Sequence, residues 1–145
     1  MNEYELIGSL LGLPQIDVTQ YRLIGTTQIE ISIESTARVA VCPTCGQVSA
    51  PVLRQDEAQS LRDLRMWNRA CLLRYRPQRY RCQSCQASFT AQVLWRQAGR
   101  SYTERYAQWL AERVRHEPIS AIAQAEGLSE ETVQGIFERT AKKTR

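Results

Sequence analysis

The chain has 145 residues, room for one ordinary domain or two small ones. At 43% hydrophobic and 8% aromatic residues it can pack a core, which excludes wholesale disorder, and no apolar run reaches the 18 or so residues that would span a bilayer. The net charge of +4 is unevenly held: residues 1–50 carry −3, residues 51–100 carry +7 and residues 101–145 carry 0. All ten basic residues of the middle segment are arginine, the side chain best suited to phosphate; a solvated sheet face is the plainer reading of the same charge.

Residues 4–13 read as a short amphipathic helix that ends before Pro14. From Tyr21 the period changes. Ile29, Ile31 and Ile33 alternate with Glu30, Ser32 and Glu34, the period of two of a half-buried strand. Ser35-Thr36-Ala37 reads as a turn, and Arg38–Val41 as a returning strand that delivers Cys42 from the end of a hairpin. Residues 46–60, with Pro51, read as a loop, and Leu61–Leu64 as a short strand or turn. From Cys71 to Cys82 the alternation returns, with Pro77 marking an edge or a bulge because it cannot donate to a ladder. Past Pro77 the phase shifts, so that Tyr80 points inward and Arg79 and Arg81 outward; Phe89 and Val93 are expected to close this unit.

Two cysteine pairs organise this region: Cys42-Pro43-Thr44-Cys45-Gly46 and Cys82-Gln83-Ser84-Cys85. Two residues between cysteines let both sulfurs of a tight turn point at one ion, and two such turns supply four thiolates, a tetrahedral set for Zn²⁺. The segment between the pairs is long enough to hold a hairpin or a small sheet of its own, which is the plan of a zinc ribbon. Two disulfides or free thiols are the alternative, and disulfides require an oxidising compartment. Met1–Glu5 is acidic where a secretory leader is basic, so an intracellular location is expected. Cys71, the fifth cysteine, falls on a core-facing strand position and reads as a small apolar residue.

Helices begin near Ser101, where Ser101-Tyr102-Thr103-Glu104 has a capping-box pattern. Tyr102, Tyr106, Trp109, Leu110 and Val114 follow at helical spacing and read as core, and His116 lies at the helix end rather than at a metal. Pro118 opens a second helix with Ile119, Ile122 and Ala123 on its apolar face, and Gly127 stops it. Ser129 caps a third, with Glu130 and Glu131 in its first turn and Val133, Ile136 and Phe137 buried. The small Ala123 and the turn glycine four residues later are the marks of a helix–turn–helix, with Glu126 where an apolar residue is more usual. A three-helix packing unit without a DNA role is the plainer reading. The fold class expected is thus α+β: a β-rich Cys₄ zinc ribbon with a short N-terminal helix over residues 1–97, then a three-helix helix–turn–helix domain over 98–145.

The order of these parts resembles the N-terminal region of the ISL-three family of insertion-sequence transposases, in which a zinc finger precedes a helix–turn–helix and a DDE-type catalytic domain follows. The likeness is carried by Leu10-Leu11-Gly12-Leu13-Pro14, by Ile33–Ala37 leading into Cys42–Gly46, by Leu61-Arg62-Asp63-Leu64, by the arginine-alternating strand into Tyr80-Arg81-Cys82, and by the helix–turn–helix. It implies metal ligation by Cys42, Cys45, Cys82 and Cys85. A DDE nuclease needs three carboxylates converging on two metal ions. The sequence given stops just past the helix–turn–helix and offers only Asp17, Asp56 and Asp63 as aspartates, so no enzymatic strand transfer is expected of it.

The function expected is zinc-dependent binding of double-stranded DNA, at transposon ends or derived sites, by a cytoplasmic, nucleoid-associated protein. Arg74, Arg76, Arg79 and Arg81 are expected to leave one strand and meet phosphates, and Ser129, Thr132, Gln134 and Arg139 to read bases from the third helix. Against this stands the acidity of the same helix face, with Glu130, Glu131 and Glu138. The alternative is a protein-interaction module that docks a transposase, a nuclease or a second copy of itself.

Overall fold

A computed structural model describes residues 1–49 and 52–143; Pro51, expected in a loop, lies outside them. The chain opens with helix α1 (Glu3–Leu11), capped by the Asn2 side chain accepting from the Glu5 amide and ended by the left-handed Gly12. Four strands then form a sheet in the order β1 (Ile16–Ile24), β2 (Gln28–Ser35), β7 (Arg69–Tyr75), β6 (Gln59–Met66). The expected alternation of Ile29, Ile31 and Ile33 holds, and all three are buried. The partner of this strand differs from the expectation. β2 pairs antiparallel with β1 and parallel with β7, whereas the returning segment before Cys42 pairs elsewhere. β1 hides from a periodicity search because a bulge between Val18 and Gln20 breaks its alternation. The core of this sheet gathers Leu11, the three isoleucines, Leu61, Cys71, Leu73, Tyr75 and Trp95. Cys71 is fully buried there, and burial pushes its thiol up to about 12.

Pro77 divides what reads in the sequence as one long strand. β7 ends at Tyr75 in the four-stranded sheet, and β8 (Gln78–Arg81) begins the centre of a second sheet, with β5 (Val52–Gln55) and β9 (Ser88–Thr90) on either side. The first cysteine pair sits on its own short hairpin, β3 (Ala40–Val41) against β4 (Val48–Ser49). Cys42, Tyr80, Cys82 and Phe89 form the small core between these pieces, with Tyr80 and Phe89 stacked at 5.8 Å. Val93 instead packs against the four-stranded sheet's core.

Helices α2 (Glu104–Val114), α3 (Ile119–Glu126) and α4 (Glu130–Lys143) complete the chain. The aromatic stripe read from the sequence is their shared core: Tyr106, Leu110, Ile122, Ala123, Val133 and Ile136, with Tyr102, Trp109 and Val114 packed against it. The α2 cap is Thr103 rather than Ser101. The Ser101 carbonyl and the Thr103 amide bond to Arg62 of β6, with Tyr102 bridged to it, so the helix starts two residues later, where the Thr103 hydroxyl accepts from the Tyr106 amide.

Two buried carboxylates tie helices to sheet. Asp63, fully buried on β6, accepts two bonds from the Arg105 guanidinium at 2.9 and 2.6 Å and one from the Thr103 hydroxyl at 2.7 Å. The same guanidinium also reaches the Leu11 carbonyl at the end of α1. Glu126, at the end of α3, faces Arg62 and Arg65 of β6 at 3.2 and 3.3 Å, Arg113 of α2 at 3.7 Å, and accepts from the Tyr106 hydroxyl at 2.8 Å. This explains the acidic residue at an ordinarily apolar position of the helix–turn–helix: three guanidinium groups and a phenol converge on it. Burial first, then the bond to Glu126, pushes the Tyr106 hydroxyl above its ordinary range.

Candidate metal centre and nucleic-acid interface

The two knuckles are built alike. In the first, the Cys42 amide donates to the Gln47 carbonyl and the Gly46 amide to the Cys42 carbonyl; in the second, Cys82 and Gln86 repeat the pattern with Ala87. Each turn needs a left-handed residue after its second cysteine. Gly46 supplies it at φ 78°, whereas Gln86 adopts φ 66° without being glycine. The tight turn aims amide N–H groups back at the first sulfur of each pair. The Cys45 amide, then that of Thr44, pulls the Cys42 thiol below its ordinary value against the cost of burial. The Cys85 amide, helped by the Ser49 hydroxyl and the Ser84 amide, holds Cys82 at about 6. Cys45 and Cys85 are raised instead. The amides of Gln47 and Ala87 pull them down, but burial and the neighbouring thiols outweigh that pull.

The four sulfurs lie within 4.8 Å of one another, with Cys42 to Cys85 at 3.6 Å and Cys45 to Cys82 at 3.4 Å. Sulfurs bound tetrahedrally to Zn²⁺ at about 2.3 Å stand about 3.8 Å apart, so the donor set fits that ion in type, number and spacing. Cys42 and Cys82 are buried beneath the site and Cys45 and Cys85 are exposed above it. Among the described residues this is the one cluster of three or more cysteine, histidine or acidic groups able to hold a metal. Cys71 stands apart in the sheet core, and His116 is exposed on α2's end, bonded to Glu112.

The arginines expected on one strand are divided at Pro77, Arg74 to one sheet and Arg79 and Arg81 to another, with Arg76 in the link between them. Arg74 lies on the four-stranded sheet, donating to the Ser60 hydroxyl at 3.4 Å and lining an open hollow with Arg22 and Glu30. Arg76 is exposed and donates to the Asp56 carbonyl at 3.0 Å. Arg79 and Arg81 belong to β8, directly before the second knuckle; Arg79 reaches the Thr90 hydroxyl at 3.5 Å and Arg81 is exposed.

On α4, Ser129 caps the helix, its hydroxyl accepting from the Thr132 amide at 3.1 Å, and Thr132 is exposed. Gln134 donates to Glu138 at 2.8 Å along the helix. Arg139 turns back into the protein, its guanidinium bonded to the Tyr102 hydroxyl at 3.0 and 3.1 Å. Glu130, Glu131 and Glu138 are exposed. What the sequence reading missed is the bracing of this helix–turn–helix by Arg62, Arg65, Arg105 and Asp63. The one available signal was the misplaced acid at Glu126, which called for basic partners from elsewhere in the chain.

Comparison with known families gives two adjoining matches, which together run from residue 38 to residue 141. Residues 38–85 match the zinc-finger of transposase IS204/IS1001/IS1096/IS1165, and residues 83–141 match the helix-turn-helix domain of transposase family ISL3. No curated protein and no solved structure shows a significant match to the chain.

Proposed function

Since the chain carries the zinc ribbon and the helix–turn–helix of ISL3-family transposases, we propose that it binds duplex DNA at transposon ends, or at sites derived from them, without itself cutting or joining strands. The observation that carries the reading is the pair of buried carboxylate clusters, Asp63 and Glu126, which brace the helix–turn–helix against the sheet that bears the ribbon. Bracing of this kind suits a protein whose two surfaces meet one duplex at once. In this reading α4 enters the major groove, Thr132 and Gln134 meet base edges, and Arg79 and Arg81 meet phosphates beside the groove. Arg139 acts from behind, holding α4 against Tyr102.

Zn²⁺, when bound, joins the two knuckles and so fixes the arginines that precede the second one; it has no open coordination position for chemistry in a four-thiolate site. The two matched domains are non-catalytic parts of a transposase. Asp63, one of the three aspartates, is committed to Arg105. These features support recognition rather than reaction. Selection of bound duplexes from a random pool by the zinc-loaded chain tests the proposal: a recurrent motif is expected, and a pool that stays random after successive rounds refutes sequence recognition.

One observation favours a second reading. The exposed face of α4 is acidic, and Val39, Val41 and Val48 around the first knuckle are more than half exposed. A protein partner, a transposase-related chain or a second copy, would cover such surfaces, and its binding would depend little on salt.

A further inference from the structure

The β6–β7 hairpin ends in a two-residue turn, Trp67-Asn68, closed by the pairing of Met66 with Arg69. Both turn residues have positive φ, 53° and 72°. That turn matches the twist of a hairpin but suits asparagine and glycine, and a bulky side chain resists it. Trp67 takes the strained position and gains no burial there, being 84% exposed.

The tip is nonetheless braced on two sides. Arg65 donates to the Asn68 carbonyl within the turn, and to the Ala125 carbonyl and the Glu126 carboxylate at the end of α3. Arg69 donates to the Gly25 and Gln28 carbonyls of the neighbouring β1–β2 turn. The indole is therefore carried on a fixed mount joined to the last turn of α3, immediately before Gly127 turns the chain toward α4. The charge there is positive. Arg62, Arg65 and Arg113 share Glu126, Arg113 also meets Glu117, and Arg69 pairs with no carboxylate among the described residues. Four guanidinium groups thus face two carboxylates.

From this placement we infer that Trp67 stacks on a nucleobase of DNA bound at the helix–turn–helix. The inference rests on the DNA-binding reading above and adds a contact to it. A docking site for protein presents a contiguous apolar patch, whereas this turn presents one flat aromatic ring on a tip whose flanking residues are Arg65, Asn68 and Arg69. A π-face in a positive frame is what a base flanked by its phosphates fits, and such stacking accepts any base. The base can come from an opened step of the duplex, wedged as apolar side chains wedge base steps, or from an unpaired nucleotide.

The test uses the zinc-loaded full chain, Trp67→Phe and Trp67→Asn. Thermal unfolding checks that both variants fold, and asparagine, which suits the turn, should not lower the midpoint. The probes are a short labelled duplex from the pool the wild type selects, and the same duplex with one unpaired base. Trp95 is 7% exposed and Trp109 is half-buried, so the solvent-exposed emission belongs to Trp67. DNA should quench that emission in the wild type, and the quench should be missing from Trp67→Asn. Affinity should fall about 5- to 150-fold in Trp67→Asn, the range for loss of one base–aromatic stack, and largely return in Trp67→Phe. A greater loss on the intact duplex identifies a wedged step, and a greater loss on the other probe an unpaired base. DNA binding with unchanged Trp67 emission and equal affinity of wild type and Trp67→Asn on both probes overturns the inference and leaves the DNA-binding reading standing. Absence of any DNA binding overturns both.

Discussion

Glu126 should be a costly side chain to remove. Its carboxylate is 1% exposed and holds three guanidinium groups and one phenol. The contributions differ. Arg65 is 38% exposed, so its pair is screened and worth about 0–1 kcal/mol. Arg113 keeps Glu117 and loses little. Arg62 is 17% exposed, its Nε already has no partner, and it would retain only the Glu126 main-chain carbonyl and the Tyr106 ring. Orphaning it costs about 2–3 kcal/mol, at or just below the lower end of the range for broken buried pairs, because Arg62 keeps some exposure and two other contacts. Leaving the Tyr106 hydroxyl unbonded adds about 1 kcal/mol. Glu126→Ala should therefore destabilise the zinc-loaded chain by about 3–4 kcal/mol, a fall in melting temperature on the order of 10 °C for a chain of this size. Glu126→Gln, which keeps an acceptor for Tyr106, should cost about half as much. Pairing Glu126→Leu with Arg62→Met should recover much of the loss, because apolar packing often replaces a buried ion pair without penalty. Urea unfolding followed by circular dichroism measures all three. A change below about 0.5 kcal/mol for Glu126→Ala, the scale of an ordinary surface substitution, would refute the argument that this carboxylate holds helices to sheet.

At the metal site, Cys42→Ser and Cys85→Ser should lose Zn²⁺ and with it on the order of 10 kcal/mol of folding free energy, whereas Cys71→Ser should keep the ion, as read by elemental analysis of reduced protein. On β8, Arg79→Ala or Arg81→Ala should weaken binding to all sequences alike and lower the slope of log affinity against log salt by about one unit. On α4, Gln134→Ala should cost about 1–3 kcal/mol at one base position only, and Glu131→Gln should tighten non-specific binding, both measured by fluorescence anisotropy on matched and mismatched duplexes.

The parts of the molecule that were legible in the sequence are those with local rules. Cysteine spacing sets Cys42 beside Cys45 and Cys82 beside Cys85, because the turn that presents two sulfurs is only a few residues long, and the need of one tetrahedral ion for four thiolates is what joins the two pairs in the reading. The helical stripe from Tyr102 to Val114 and the stop at Gly127 follow equally from short-range geometry. What escaped depends on distant partners. β2 was readable as a strand, but its parallel neighbour β7 lies some forty residues on, and no local signal announces which strand closes on which. Pro77 was readable as a break in the ladder; that the chain there leaves one sheet for another, and separates Arg74 from Arg79 and Arg81, depends on the whole topology. The shift of the α2 cap from Ser101 to Thr103 has the same origin, since a bridge to Arg62 of β6 engages the backbone from Ser101 to Thr103.

If the two matched domains together grip DNA, binding must depend steeply on salt. The zinc-loaded chain is titrated into a labelled duplex by anisotropy at a series of salt concentrations. A contact set of several arginines on phosphate predicts a log–log slope of about −0.9 per phosphate met, and hence a steep line with a slope of several units. A flat line, or no binding at low salt, would rule out a DNA grip by these arginines and hand the acidic face of α4 to a protein partner.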